Sequence, residues 1–161
     1  MMPALDPSPE TSAASRISEG PIAILLIGPG DSRRSALCNI LQPPQWEIRE
    51  AATFAEAVEI LNNRPCPVVV CDTEIQHGDW RMLLADLQTR DHPSNLIVSA
   101  RLADERLWAE VLNLGGYDVL AQPFDRAEVL RVARMAWMDW RQKSQSRTVC
   151  THADLRAQAA F

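Results

Sequence analysis

The chain has no surplus of positive charge. Its 16 Lys and Arg stand against 21 Asp and Glu, a formal charge of −5, and its isoelectric point is near 5.2. Proteins that grip DNA or RNA through phosphates normally show a basic face, so no nucleic-acid partner is expected. Long apolar runs are also missing. The longest, Ile22–Ile27 and Val68–Cys71, fall far short of the ~20 residues that cross a bilayer. The opening Met-Met-Pro-Ala-Leu-Asp-Pro-Ser-Pro-Glu lacks the charged-then-apolar pattern of a secretory signal. A cytoplasmic protein with no membrane partner is the expectation. Paired cysteines are absent too. Cys38, Cys66, Cys71 and Cys150 show no CxxC and no zinc-ligand spacing with His. Cys38 and Cys71 sit in apolar stretches, where a thiol acts as a small hydrophobe, so reduced thiols without a metal or redox role are expected.

What is there is an ordinary globular composition, 47% hydrophobic and 23% charged over 161 residues, with no internal repeat and a length suited to one domain. Residues 1–20 carry three early prolines and almost no large apolar side chains; they cannot bury enough surface to offset ordering entropy and read as a disordered leader. Residues 142–161 turn polar again and read as a tail with at most a short helix over 153–160. The core is therefore placed at residues 21–141.

Inside it, apolar runs alternate with amphipathic ones. Strands are expected at Ile22–Ile27, Trp46–Ala51, Val68–Cys71, Leu96–Ser99 and Tyr117–Ala121. Helices are expected from the Asp31 cap to about Gln42, after the Thr53 cap, over Asp79–Thr89, over Ala103–Leu114 and over Asp125–Trp140. Five βα units predict an α/β doubly wound, five-stranded parallel sheet of flavodoxin-like type, order 2-1-3-4-5, with helices on both faces. Chemistry in such sheets gathers beyond the carboxyl ends of the strands. The candidates there are Gly28 and Pro29 after the first strand, Asp72 after the third, Ser99 after the fourth, and Gln122-Pro123 after the fifth.

Gly28-Pro29-Gly30-Asp31-Ser32-Arg33 invites a nucleotide-binding reading, with Glu50 as ribose contact. Arg33 stands where the third glycine belongs, however. Pro29 removes a backbone donor, and Asp31, a good helix cap, brings negative charge where a phosphate would sit.

The blocks Val68-Val69-Val70-Cys71-Asp72, Gly78-Asp79-Trp80, Leu96-Ile97-Val98-Ser99-Ala100 and Leu120-Ala121-Gln122-Pro123-Phe124-Asp125 together resemble the receiver domain of two-component response regulators. The resemblance implies that Asp72 is the phosphoacceptor and that Ser99 contacts the phosphoryl group. It also implies a cis bond before Pro123. Three positions that bear on the chemistry depart from it. Gly28 and Pro29 replace the two acids that help hold Mg²⁺, and Gln122 replaces the lysine that pairs with the phosphoryl group. Val119 and Gln76 depart at the aromatic switch and at a loop proline. A standard site holds three carboxylates and an ammonium. Here the count leaves one carboxylate, a poor ligand set for a cation that wants a near-octahedral oxygen shell. Arg101, close to Ser99 in sequence, is a candidate neighbour for Asp72.

These readings lead to a stand-alone, degenerate receiver, not an enzyme and without cofactor, acting in phosphorelay-type signalling mainly by binding another protein. Mg²⁺ binding and Asp72 phosphorylation are expected to be weak or absent. The alternatives are a phosphorylation-competent receiver fed by a histidine kinase, and a small flavin or nucleotide protein on the same fold. The final helix is apolar beyond one buried face, through Val132, Met135 and Met138. With Trp108, Met135 and Met138 mark an expected surface for a histidine kinase, an effector or a second copy, because Met and Trp are enriched in interfaces.

Overall fold

The computed structural model describes residues 20–158, and side chains through residue 148. The expected leader thus lies almost wholly outside the described residues. The elements run β1 (Ile22–Ile27), α1 (Ser32–Ile40), β2 (Trp46–Ala51), α2 (Phe54–Asn63), β3 (Val68–Asp72), α3 (Trp80–Gln88), β4 (Asn95–Ala100), α4 (Glu105–Leu114), β5 (Asp118–Ala121) and α5 (Arg126–Gln158). The strands form one parallel sheet in the order β2-β1-β3-β4-β5, as the alternating pattern predicts.

Strand alternation sorts the core into two layers. Leu25, Val69, Cys71 and Val98 face α2, α3 and α4, where they meet Ala57, Leu61, Trp80, Leu83, Leu87 and Val111. Ile24, Leu26, Val68, Val70 and Ile97 face α1 and α5, where they meet Leu37, Leu41, Val129, Val132 and Ala133. β3 is buried along its whole length, which is why its run is apolar on both faces.

Helix starts are fixed by side-chain caps. Asp31, Thr53, Asp79 and Asp104 accept from the backbone N–H groups of Arg33, Glu56, Met82 and Leu107, each cap contributing about 1 kcal/mol. α4 ends at Gly115, whose φ of 100° is costly for any residue with a Cβ.

The last helix departs from expectation. It does not stop at Trp140 but continues through the polar segment to Gln158, 33 residues in all, or about 50 Å. Nothing in the sequence stops it, since neither Gly nor Pro occurs after Pro123. The polar turns hold it instead. Lys143 pairs with Asp139 at 2.6 Å across one turn, and the Arg147 guanidinium donates to the Asp91 carbonyl.

Among the described residues no helix is long and apolar enough to cross a membrane. Cys38, Cys66 and Cys71 are free thiols; burial, the main cause, pushes the Cys71 thiol far above its usual range. The Cys150 side chain lies outside the described residues.

Candidate functional site

The rim site is assembled by strand register. Asp72, the last residue of β3, sits directly beside Ser99 of β4, and both are buried. Gly28 follows β1 and hydrogen-bonds through its N–H to the Ala51 carbonyl at 3.1 Å. Gln122 follows β5, its N–H donating to Ala100 at 2.9 Å, and the Gln122-Pro123 bond is cis. The sheet therefore brings Gly28, Pro29, Asp72 and Ser99 together around one small cavity, and Gln122 reaches Asp72 through its side chain.

The Asp72 carboxylate is held from three directions. Oδ1 accepts the Glu74 backbone N–H at 3.0 Å. Oδ2 accepts Gln122 Nε2 at 3.2 Å and lies 3.2 Å from Arg33 Nη1. This guanidinium is the residue that sequence reasoning missed, having counted Arg33 only as the break in a glycine motif. The available signal was its place: Arg33 is the second residue of α1, the helix that begins just past the end of β1. Arg101, the neighbour expected instead, is exposed.

Arg33 does not stand on Asp72 alone. Its Nε and Nη2 reach Asp31 Oδ2 at 2.8 and 2.7 Å, and Nη1 lies 3.6 Å from Glu74 Oε2. Three carboxylates thus converge on one guanidinium, which corrects the single carboxylate counted from sequence. Asp31 both caps α1 through Oδ1 and anchors Arg33 through Oδ2. The hydrogen bonds from Arg33 hold the Asp31 carboxyl below its usual range, and in return the guanidinium is held more firmly protonated.

The positions that depart from the receiver pattern have other work here. A Cβ on Gly28 would stand 2.9 Å from the Asp72 Cβ, so the chain passes too close for a larger residue. Gln122 donates its amide to Asp72, while its Oε1 is buried without a hydrogen-bond partner. Next to Arg33, Arg34 turns the other way. It donates to the Gly28 and Ala51 carbonyls at 3.3 and 3.4 Å and pairs with Glu50 at 3.1 Å. Glu50 and Asp31 are thus both engaged by arginines rather than set for a nucleotide. The cavity between Asp72, Ser99, Arg33 and Phe124 holds about 20 Å³, room for about one water. Among the described residues no group of three His, Cys, Asp or Glu is arranged to hold a metal ion.

A doubly wound sheet with an acid closing its central strand defines a class of rim-site α/β proteins. Within that class, the family model described as the response regulator receiver domain matches residues 24–134. The chain belongs to that family, which takes the place of the flavin or nucleotide reading. No curated protein matches. Among solved structures, it is similar to the signal receiver domain of an HD domain-containing protein from Pseudomonas fluorescens Pf-5, at 22% identity and a TM-score of 0.74, covering 83% of this chain and 98% of that one. It is similar at 15% identity and a TM-score of 0.65 to the chemotaxis response regulator CheY4 of Vibrio cholerae, covering 72% and 98%. The beryllofluoride-activated NtrC4 receiver domain dimer matches at 22% identity and a TM-score of 0.67, covering 73% and 98%. At these identities the likeness shows the shared fold.

Proposed function

We propose that this receiver domain has exchanged metal-assisted phosphoryl transfer for a fixed internal ion pair, and that it acts in phosphorelay-type signalling as a protein-binding module rather than an enzyme. The observation that carries this reading is the Arg33 guanidinium, 3.2 Å from Asp72 Oδ2 and gathered in by Asp31 and Glu74. Mg²⁺ demands oxygen ligands at about 2.0–2.1 Å in a near-octahedral shell. Gly28 and Pro29 supply no side-chain oxygen, and the remaining acids already face a cation. The residues present do not fit the metal in this arrangement. A cavity of about 20 Å³ also leaves no place for a phosphoryl group until Arg33 moves, and moving it strips three carboxylates of their shared countercharge.

The test is to incubate the protein with a small acyl phosphate, with and without Mg²⁺, and to measure intact mass. The expected result is little or no added phosphate at either condition. Rapid, Mg²⁺-dependent labelling that vanishes in Asp72→Asn overturns the proposal and establishes the phosphorylation-competent reading, which draws its support from Ser99 standing in register with Asp72.

The partner surface of this reading lies on α4 and α5. Trp108, Met135 and Met138 are 50%, 49% and 57% exposed, and the two methionines line a shallow depression with Tyr117. We place contact with a second copy of the chain, or with a histidine kinase or effector, on this face. The NtrC4 relative is described as a dimer. Light scattering should show self-association that Met138→Lys abolishes; a monomer at high concentration removes the second copy from the proposal.

A further inference from the structure

At the end of the sheet opposite Asp72, a groove of about 410 Å³ runs beside α5. Its walls are Pro21 and Ile22 at the start of β1, Pro65 and Pro67 before β3, and Trp137 and Trp140 of α5. Indole faces and proline rings are the lining on which extended proline-rich segments dock, because such segments arrive already ordered and carry carbonyls with no partner of their own. Arg141 also lines the groove, its guanidinium 5.5 Å from the centre of the Trp137 ring.

Gly20, the first described residue, belongs to the same wall, and a proline-bearing segment precedes it in the sequence. That segment reads Pro3-Ala4-Leu5-Asp6-Pro7-Ser8-Pro9-Glu10, with three prolines and two acids. We propose that the groove is a binding site for this chain's own proline segment, residues 3–9. The prolines match the aromatic and proline walls of the groove. The tether from Pro9 to Gly20 gives a root-mean-square reach of roughly 18 Å. Short tethers of this kind give effective concentrations in the millimolar range, so even a contact with a dissociation constant of about 1 mM is substantially formed. The contact would fasten the polar half of α5 to the domain from a second side, independently of the Asp72 rim.

The experiment uses the full chain with a benzophenone amino acid in place of Leu5, irradiated at low micromolar concentration and mapped by peptide mass spectrometry. The expected result is a crosslink within one chain to peptides containing residues 65–67 or 137–145, lost when Pro3, Pro7 and Pro9 are all replaced by Ser. Crosslinks only elsewhere, crosslinks joining two chains, or a groove crosslink that persists in the triple-Ser variant would each overturn the proposal. Circular dichroism of the triple-Ser chain separates a lost contact from a lost fold.

Discussion

Replacing Arg33 by Met tests whether the guanidinium holds the rim together. Methionine keeps most of the apolar stem that lines the cavity beside Leu37 and Phe124, so the change removes charge more than volume. The Arg33 and Asp72 side chains are only 16% and 8% exposed, and a hydrogen bond to a charged group in such a place is worth about 1.5–3 kcal/mol. Stranding a fully buried charge costs about 3–5 kcal/mol. That upper range is not reached, because Asp72 keeps the Glu74 N–H and the Gln122 amide. The arm to Asp31 is more exposed and screened by solvent, so it adds little. The expected loss is therefore about 2–3 kcal/mol, which at a urea slope near 2 kcal/mol/M lowers the unfolding midpoint by about 1 M. A double-mutant cycle isolates the pair. Arg33→Met in an Asp72→Asn background should cost clearly less, with a coupling of about 1–2 kcal/mol. Coupling below about 0.5 kcal/mol, within the additivity of independent sites, refutes the ion pair as the organising contact of the site.

Returning an acid to the first strand end should fail structurally before it helps chemically. Gly28→Asp places a Cβ 2.9 Å from the Asp72 Cβ, and thermal unfolding should show a loss of about 1–3 kcal/mol from overpacking. Asp104→Ala removes the cap on Leu107 and should lower the melting temperature by about 2–4 °C for a cost near 1 kcal/mol. The pH dependence follows from Asp31. Its folded-state pKa is depressed, chiefly by the hydrogen bond from Arg33, so its contribution is complete above the unfolded carboxyl value near 4 and is lost as pH falls through the folded value. Urea unfolding of Asp31→Asn should therefore lose less stability on acidification than the parent chain; equal acid sensitivity removes Asp31 from the anchor.

The fold was legible because each level of the sequence pointed the same way. β3 announced its place by being apolar on both faces, and Asp31 and Thr53 announced helix starts as cap residues. The long α5 was misread because a polar segment was taken as a stop. Polarity moves a helix away from the core without ending it, and the strongest helix breakers, Gly and Pro, are absent after Pro123. At the site, Asp72, Ser99 and Gln122 could be placed from strand ends alone, since register carries them there. Arg33 could not, because a long side chain reaches its target by rotamer and not by register. Its contacts to Asp31, Asp72 and Glu74 join two segments of the chain, the start of α1 and the end of β3.

The pattern of what this receiver keeps and what it changes has a physical logic. Retained blocks are those that also pack: Val68–Cys71 fill the sheet centre, Ser99 is buried against its neighbours, and Phe124 after the cis proline packs on the layer beneath α1 and α5. The altered positions at the rim, Gly28, Pro29 and Gln122, are the ones that carry charge in the family pattern. One arginine bound to Asp72 makes those changes mutually consistent. With Arg33 beside the carboxylate, a divalent cation and a lysine there would add positive charge within about 4–6 Å of a guanidinium, where like charges repel by a few kcal/mol at an effective dielectric near 20. A neutral amide at position 122 keeps the donor to Asp72 and avoids that repulsion. On the proposed reading Arg33 and the family's metal are alternatives for one place, and an Arg33→Met chain that gains Mg²⁺-dependent stabilisation in a thermal melt, absent from the parent chain and from Arg33→Met/Asp72→Asn, is the outcome it requires. Magnesium stabilising the parent chain equally well would show that the guanidinium and the metal do not compete.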